Sequence, residues 1–274
     1  VGNRTSDNEP GTSRSYTFGD MSRPNKLTAM TAGTKTTSYS YDANGAMTEK
    51  LLTDGMVTLL HHKLTYTQGG LVRQFEEILS TPGSITCVVA GTTLDASKRD
   101  WRYRYSATGE REQKRLYYSP HGDACGETHA WTYYLLGAGD EQLAVYNGRQ
   151  TNEEDECENT GRRVHIYAVE YISPGGVASV VTRPDGTKEL NLRDHLGSVR
   201  TVVKAGLTLA QYDYKPFGKV DWSVGGTKRE GYIGKEEDRE SLLGDYGVRK
   251  YDADIGRFLS VDKLFEQQPG YSPY

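Results

Sequence analysis

Four residues carry side chains suited to zinc, in two polar stretches: His121, Cys125 and His129, spaced by four, and Cys157. Imidazole and thiolate are the softer ligands of tetrahedral zinc. Gly122 and Gly126 argue against a helix that would set the first three on one face. A Cys125–Cys157 disulfide tying the two stretches is the other chemistry open to them. Exposed loops in which His and Cys merely fall are favoured over both. Together with Cys87, these are three cysteines at wide spacings, which is not a disulfide framework. Asp194, His195 and Ser198 have the side chains of a hydrolase triad. A triad needs convergence from separate elements, and strand alternation sends Asp194 and His195 to opposite faces. The expectation there is a turn ahead of a strand over 199–203.

The elements that position these residues are read from composition first. The chain of 274 residues holds 31 Gly and 20 Tyr against 5 Phe and 3 Trp, with a net charge of −4. Tyrosine and the β-branched residues suit a pleated, half-buried surface. The small net charge argues against a broad nucleic-acid surface. Mean hydropathy is −0.69, and no run reaches the length of a membrane span. The first residue is Val1, and the opening is polar, so the chain reads as a fragment of a longer polypeptide.

A repeat runs along the first half. An aromatic or apolar pair at i, i+2 precedes a small turn residue four positions on: Tyr16 and Phe18 before Ser22, Tyr39 and Tyr41 before Gly45, Leu64 and Tyr66 before Gly70, Tyr103 and Tyr105 before Gly109. The i, i+2 spacing puts both members on one face of a strand, and Asn44-Gly45 is a strong hairpin signal. Units of this kind cannot bury their aromatic face alone and stack side by side. The fold expected is all-β: antiparallel hairpin repeats forming a curved strip, with a C-terminal plug. A strip this short is expected to leave its edges and inner aromatic face exposed.

Tyr41-Asp42-Ala43-Asn44-Gly45 resembles a YD repeat. Further on, Asp194-His195-Leu196-Gly197-Ser198 resembles the DHLGS segment of the RHS/YD-repeat family. Tyr212-Asp213-Tyr214-Lys215-Pro216-Phe217-Gly218 resembles its YDYxPFG segment. Tyr246 to Asp252 and Gly256-Arg257-Phe258 through Asp262 resemble its YGxRyYdPxxGRFlsxDP signature. The resemblance divides the chain into a degenerate repeat strip over 1–118, further strands with two polar loops over 119–190, and a core-associated segment over 191–274. It implies a β-shell around a C-terminal toxin or effector, in a secreted or surface bacterial protein. The partners implied are that cargo, the remaining shell repeats or another chain, and secretion machinery. No cofactor, nucleic acid or membrane span is expected.

The resemblance also implies aspartyl self-cleavage in the full-length parent. Two carboxylates sharing a proton supply one base and one acid. Asp262 matches the first of the family's pair, and Arg257 is a supporting residue that either orients Asp262 or ties the plug to the wall. The second acid is expected past Tyr274, so this stretch by itself is not expected to cut. Asp252 and Asp254 are expected to shape the turn before Gly256. Lys263 and Ala253 stand where the family has proline, which weakens the peptidase reading. Cell-contact or glycan-binding function is the remaining alternative.

Overall fold

The computed structural model describes residues 3–9, 12–19, 25–79, 88–89, 92–93, 98–118, 130–139, 141–153, 161–173, 178–226 and 229–264. Seventeen strands, from Ser6–Glu9 to Val220–Gly225, make one antiparallel sheet. Each strand pairs with the next one in the sheet, as Lys35–Tyr41 does with Met47–Asp54 and Met47–Asp54 with Val57–Tyr66. Val72–Ile78 pairs directly with Lys98–Tyr105, and Val88–Val89 with Thr92–Thr93 forms a separate ribbon between them. The fold is the expected all-β strip.

Two kinds of turn recur along the meander. At one rim the connections at 33–34, 55–56 and 205–206 are two residues long; Ala205 and Gly206, at φ 50° and 78°, give the geometry that matches strand twist. At the other rim a five-residue turn recurs at 42–46, 67–71, 106–110, 194–198 and 215–219, and a further copy at 183–187 lies on the first rim. In each, the first N–H donates to the fifth carbonyl, and the fourth residue, a glycine at positive φ, donates back to the first.

The paired aromatics divide the work. The first member, Tyr39, Leu64, Tyr103 or Tyr212, is buried. The second sends its hydroxyl to the carbonyl that opens the preceding strand: Tyr41 to Leu27 (2.7 Å), Tyr66 to Met47 (2.6 Å), Tyr105 to Val72 (2.8 Å) and Tyr214 to Val199 (2.9 Å). The i, i+2 spacing therefore encodes one core residue and one clamp at the glycine-turn rim.

Residues 229–264 form the plug. Its short strands Glu236–Asp238, Leu243–Asp245, Lys250–Asp252 and Arg257–Phe258 make a four-stranded sheet. Leu243, Ile255 and Leu259 join Tyr16, Tyr39, Met47, Leu64, Phe75 and Tyr103 of the wall in one core. Backbone bonds fasten the two, from Met47 N–H to the Leu259 carbonyl (2.7 Å) and from Val199 N–H to the Gly231 carbonyl (3.0 Å). This corrects the expectation of a bare inner face. The plug supplies its apolar cover from three isolated residues, too few to show as a hydrophobic period.

The strip also curls. Seventeen strands at about 4.8 Å spacing give roughly 80 Å of arc, or a ring on the order of 25 Å across, room for one thin layer inside. The Arg4 guanidinium lies 4.7 Å from the Tyr16 ring and 5.2 Å from Phe217, so the two ends of the strip meet. The plug's Asp254 bridges them, at 2.5 Å from Lys219 and 3.5 Å from Arg14. No ladder joins the first and last strands among the described residues.

Candidate functional site: the charge lock between wall and plug

Arg111 opens the wall strand Arg111–Tyr118, directly after a glycine turn. Its side chain is 2% exposed and meets three plug carboxylates: Asp238 (2.8 Å), Asp245 (2.9 Å) and Glu236 (3.0 Å). Glu236 and Asp238 alternate on one short strand, and Asp245 stands opposite Glu236 in register, so all three reach the same side. Asp238, fully buried, also takes Lys250 (2.6 Å) and Lys114 (3.2 Å). Lys114 reaches Glu240 as well (3.2 Å). Tyr134 donates to Glu236 (2.9 Å) and accepts from Arg111 (3.0 Å).

A second branch continues from Glu236. Arg229 bonds Glu236 (3.0 Å), Glu230 (3.0 Å) and Glu170 of the wall. Arg183 joins Glu170 (3.0 Å) to Glu189 (2.6 Å), and Arg193 joins Glu230 to Ser179. The network runs across five wall strands and into the plug.

Its electrostatics follow from burial and neighbours. Burial alone raises the Asp238 carboxyl, but Arg111, Lys250 and Lys114 outweigh it and hold Asp238 well below the usual carboxylate range. Glu240 goes the other way: burial, then the Asp238 charge, push it up against the pull of Lys114. For Lys114, burial lowers and the carboxylates raise, with the carboxylates winning. Every acid named here is engaged by a cation or a tyrosine hydroxyl. The arrangement holds surfaces together and offers no unengaged base.

The residues singled out in the sequence fall as follows. Asp262 is ion-paired with Arg249 (2.8 Å), and its other oxygen accepts the Leu264 N–H (2.9 Å). Arg249 in turn stacks 3.7 Å over Phe258, whose ring meets Tyr246 and Tyr251. Arg257 donates to the Asn25 carbonyl (2.8 Å) and to Asn3 (3.1 Å) and lies 5.0 Å from Phe18, all in the wall. Asp252 holds Lys50 (2.6 Å), accepts the Asp254 N–H (2.9 Å) and, through its carbonyl, the Gly256 N–H. The three aspartates thus hold different cations.

Asp194 accepts the N–H groups of Leu196 (3.0 Å) and Ser198 (2.9 Å), while His195 is exposed. The Ser198 hydroxyl accepts from the Ile233 N–H of the plug (3.0 Å). These residues build a turn. Asp42 does the same for Ala46 (2.8 Å), with Gly45 at φ 85°. Pro216 and Phe217 present carbonyls to the hydroxyls of Tyr232 (3.0 Å) and Tyr251 (3.1 Å). Gly218 and Gly256 sit where the plug and the glycine-turn rim approach closely, and Gly197 faces the Ile233 backbone of the plug. His121, Cys125, His129, Cys157 and Cys87 lie outside the described residues. Sequence reasoning missed Arg111, Lys114, Glu170, Arg229, Asp238, Asp245 and Lys250. The signal available was Glu236-Glu237-Asp238, a strand whose inward positions are both acidic and so demand buried cations.

No known family profile matches the chain. A curated relative, Salivary gland surface protein 1 of Aedes aegypti, is 29% identical over 195 residues, covering 69% of this chain and 5% of the relative. The chain therefore spans about one twentieth of that relative's length. Among solved structures, TcdB2-TccC3-Cdc42 is similar over 92% of this chain and 17% of that one, at 12% identity and a TM-score of 0.37. The Tc holotoxin pore of Photorhabdus luminescens is similar over the same shares, at 13% identity and a TM-score of 0.35.

Proposed function

We propose that this chain is a wall-and-plug segment of a β-shell protein of the RHS/YD-repeat kind, whose work is containment of a polypeptide cargo. The carrying observation is the Arg111–Asp238 lock. A strip that curls until its ends meet, with a plug fixed inside by buried ion pairs, is built to close a space. The YD-like turn at Tyr41–Gly45 and the motifs from Asp194 to Asp262 support the same reading. On this reading the wall is secreted or displayed on a surface, and the name of the mosquito relative, a surface protein, supports the second of these.

Self-processing at Asp262 is the companion reading for the longer protein. It is supported by the ion pair to Arg249, which presents a partly exposed carboxylate just past the plug's last strand. The test uses the whole natural polypeptide that contains this chain. Under limited proteolysis, containment predicts a cargo region that resists digestion until Asp238→Asn or Arg111→Ala loosens the plug. A cargo region equally sensitive in the unaltered protein overturns containment. Intact mass of the same protein beside Asp262→Asn separates the companion reading, because a cut absent only from the variant assigns Asp262 to cleavage.

A further inference from the structure

Between wall and plug lies a cleft of about 350 Å³ that the charge lock does not fill, within the size range of small-ligand sites. Three adjacent wall strands floor it. Register places Thr37, Leu52 and Leu60 in one row, and Lys50 and His62 in the next. Leu242 and Asp252 of the plug form the facing side, and Val220 closes a third.

The charges in the cleft are already matched. Lys50 holds Asp252 at 2.6 Å and Lys219 holds Asp254 at 2.5 Å, while Glu237 is solvent-exposed. Two polar side chains are not matched. His62 is 4% exposed and Thr37 3%, and neither the imidazole nitrogens nor the hydroxyl has a hydrogen-bond partner among the described residues. Neither residue's polar atoms are sealed, so they open onto the cleft, where water or a ligand completes their hydrogen bonds. The His62 ring is fixed edge-on against Phe75 (4.7 Å), and burial, then the Lys50 charge, keep it neutral. A neutral imidazole offers one donor and one acceptor, and a hydroxyl offers both.

An anion brought here faces the carboxylates of Asp252 and Asp254 with no unmatched cation to meet it, and a cation faces the two lysines. An uncharged group that both donates and accepts, carried on an apolar body, meets every wall. We propose that the cleft binds an uncharged peptide segment of a partner polypeptide, its N–H and C=O groups on His62 and Thr37 and a branched aliphatic side chain on Leu52, Leu60 and Val220. This site is independent of the containment reading, because it needs only the wall and plug as they stand.

The test is a titration of the 274-residue chain with acetyl-Val-Leu-Ala-amide, followed by the ring resonances of His62. A saturable shift is expected, with capped Asp-Ser-Asp and Lys-Ser-Lys peptides at least about tenfold weaker. His62→Phe, which keeps the contact with Phe75, and Thr37→Val are each expected to weaken binding about fivefold or more, read from the peptide's own signals. His62 resonances that stay in place up to millimolar peptide assign the cleft to water and overturn the proposal. Equal binding of all three peptides, or unchanged affinity in both variants, overturns it as well.

Discussion

One nitrogen of Arg111 lies 2.8 Å and 2.9 Å from the two carboxylate oxygens of Asp238, and the residues are 127 positions apart. One belongs to the wall and the other to the plug, and both are sealed from water. Removing one partner of a buried pair leaves the other charge uncompensated, which typically costs about 3–5 kcal/mol. Arg111→Ala is expected to lose that much in urea unfolding. Arg200→Ala, which breaks the exposed, solvent-screened pair with Asp213, is expected to lose far less. Equal losses in the two variants would contradict the lock.

The tyrosine clamps predict a contrast within one repeat. Tyr66→Phe deletes the bond to the Met47 carbonyl, and a single bond of this kind is worth about 1 kcal/mol net. Tyr41→Phe, Tyr105→Phe and Tyr214→Phe are expected to cost about the same. The Tyr39 hydroxyl is buried with no partner among the described residues, so Tyr39→Phe is expected to be neutral or stabilising. Chemical denaturation of the five variants checks the pattern.

Glycines at the two rims are not equivalent. Gly33 has φ 62° with open space around it, so Gly33→Ala carries only the left-handed penalty, about 1 kcal/mol. Gly218 has φ 89°, and a Cβ there would overlap the Tyr232 ring of the plug. Gly218→Ala is expected to add an overpacking cost of about 1–3 kcal/mol, seen as a distinctly lower melting temperature than that of Gly33→Ala.

His62 sets a pH dependence with a definite sign. Burial, with the nearby Lys50 charge, lowers its pKa from 6.5 to about 3. Above pH 6.5 both folded and unfolded chains hold it neutral. Below that, the unfolded chain binds a proton that the folded one refuses, so stability falls as pH drops through the window from 6.5 to about 3. His62→Phe is expected to remove up to about 2 kcal/mol of the loss between pH 7 and pH 5. The difference between the two urea-midpoint curves isolates it from the carboxylates, which both proteins share.

Much of the wall was legible in the sequence because its signals are local. Tyr41, Asp42 and Gly45 announce a strand end and a turn within five residues, and the structure repeats that turn wherever Gly70, Gly109, Gly197 and Gly218 stand. Two of those turns, at Asp194–Ser198 and Lys215–Lys219, looked like separate motifs and are further copies of the same unit. The meander likewise runs unbroken through Val220–Gly225 before the plug begins. The lock was not legible. Arg111, Lys114 and Asp238 read as solvated charges by default, and their burial depends on elements more than a hundred residues apart. His62 was passed over for the same reason: a histidine inside an apolar strand shows nothing until the facing surface is known.

The meeting of Arg4 with Phe217 around Asp254 bears on the order in which the molecule is made. Ladders within the meander join neighbours in sequence and form early and fast, whereas the contacts that seal the ring span Lys50 to Asp252, Arg14 to Asp254 and Asn3 to Arg257. A ribosome delivers these seventeen strands before the first plug strand emerges. Until then the nascent strip is unclosed, with its inner tyrosines wet, and the arrival of residues 229–264 converts a soft ribbon into a rigid hoop. Translation itself times the sealing step, leaving an interval in which the lumen is still accessible from both rims.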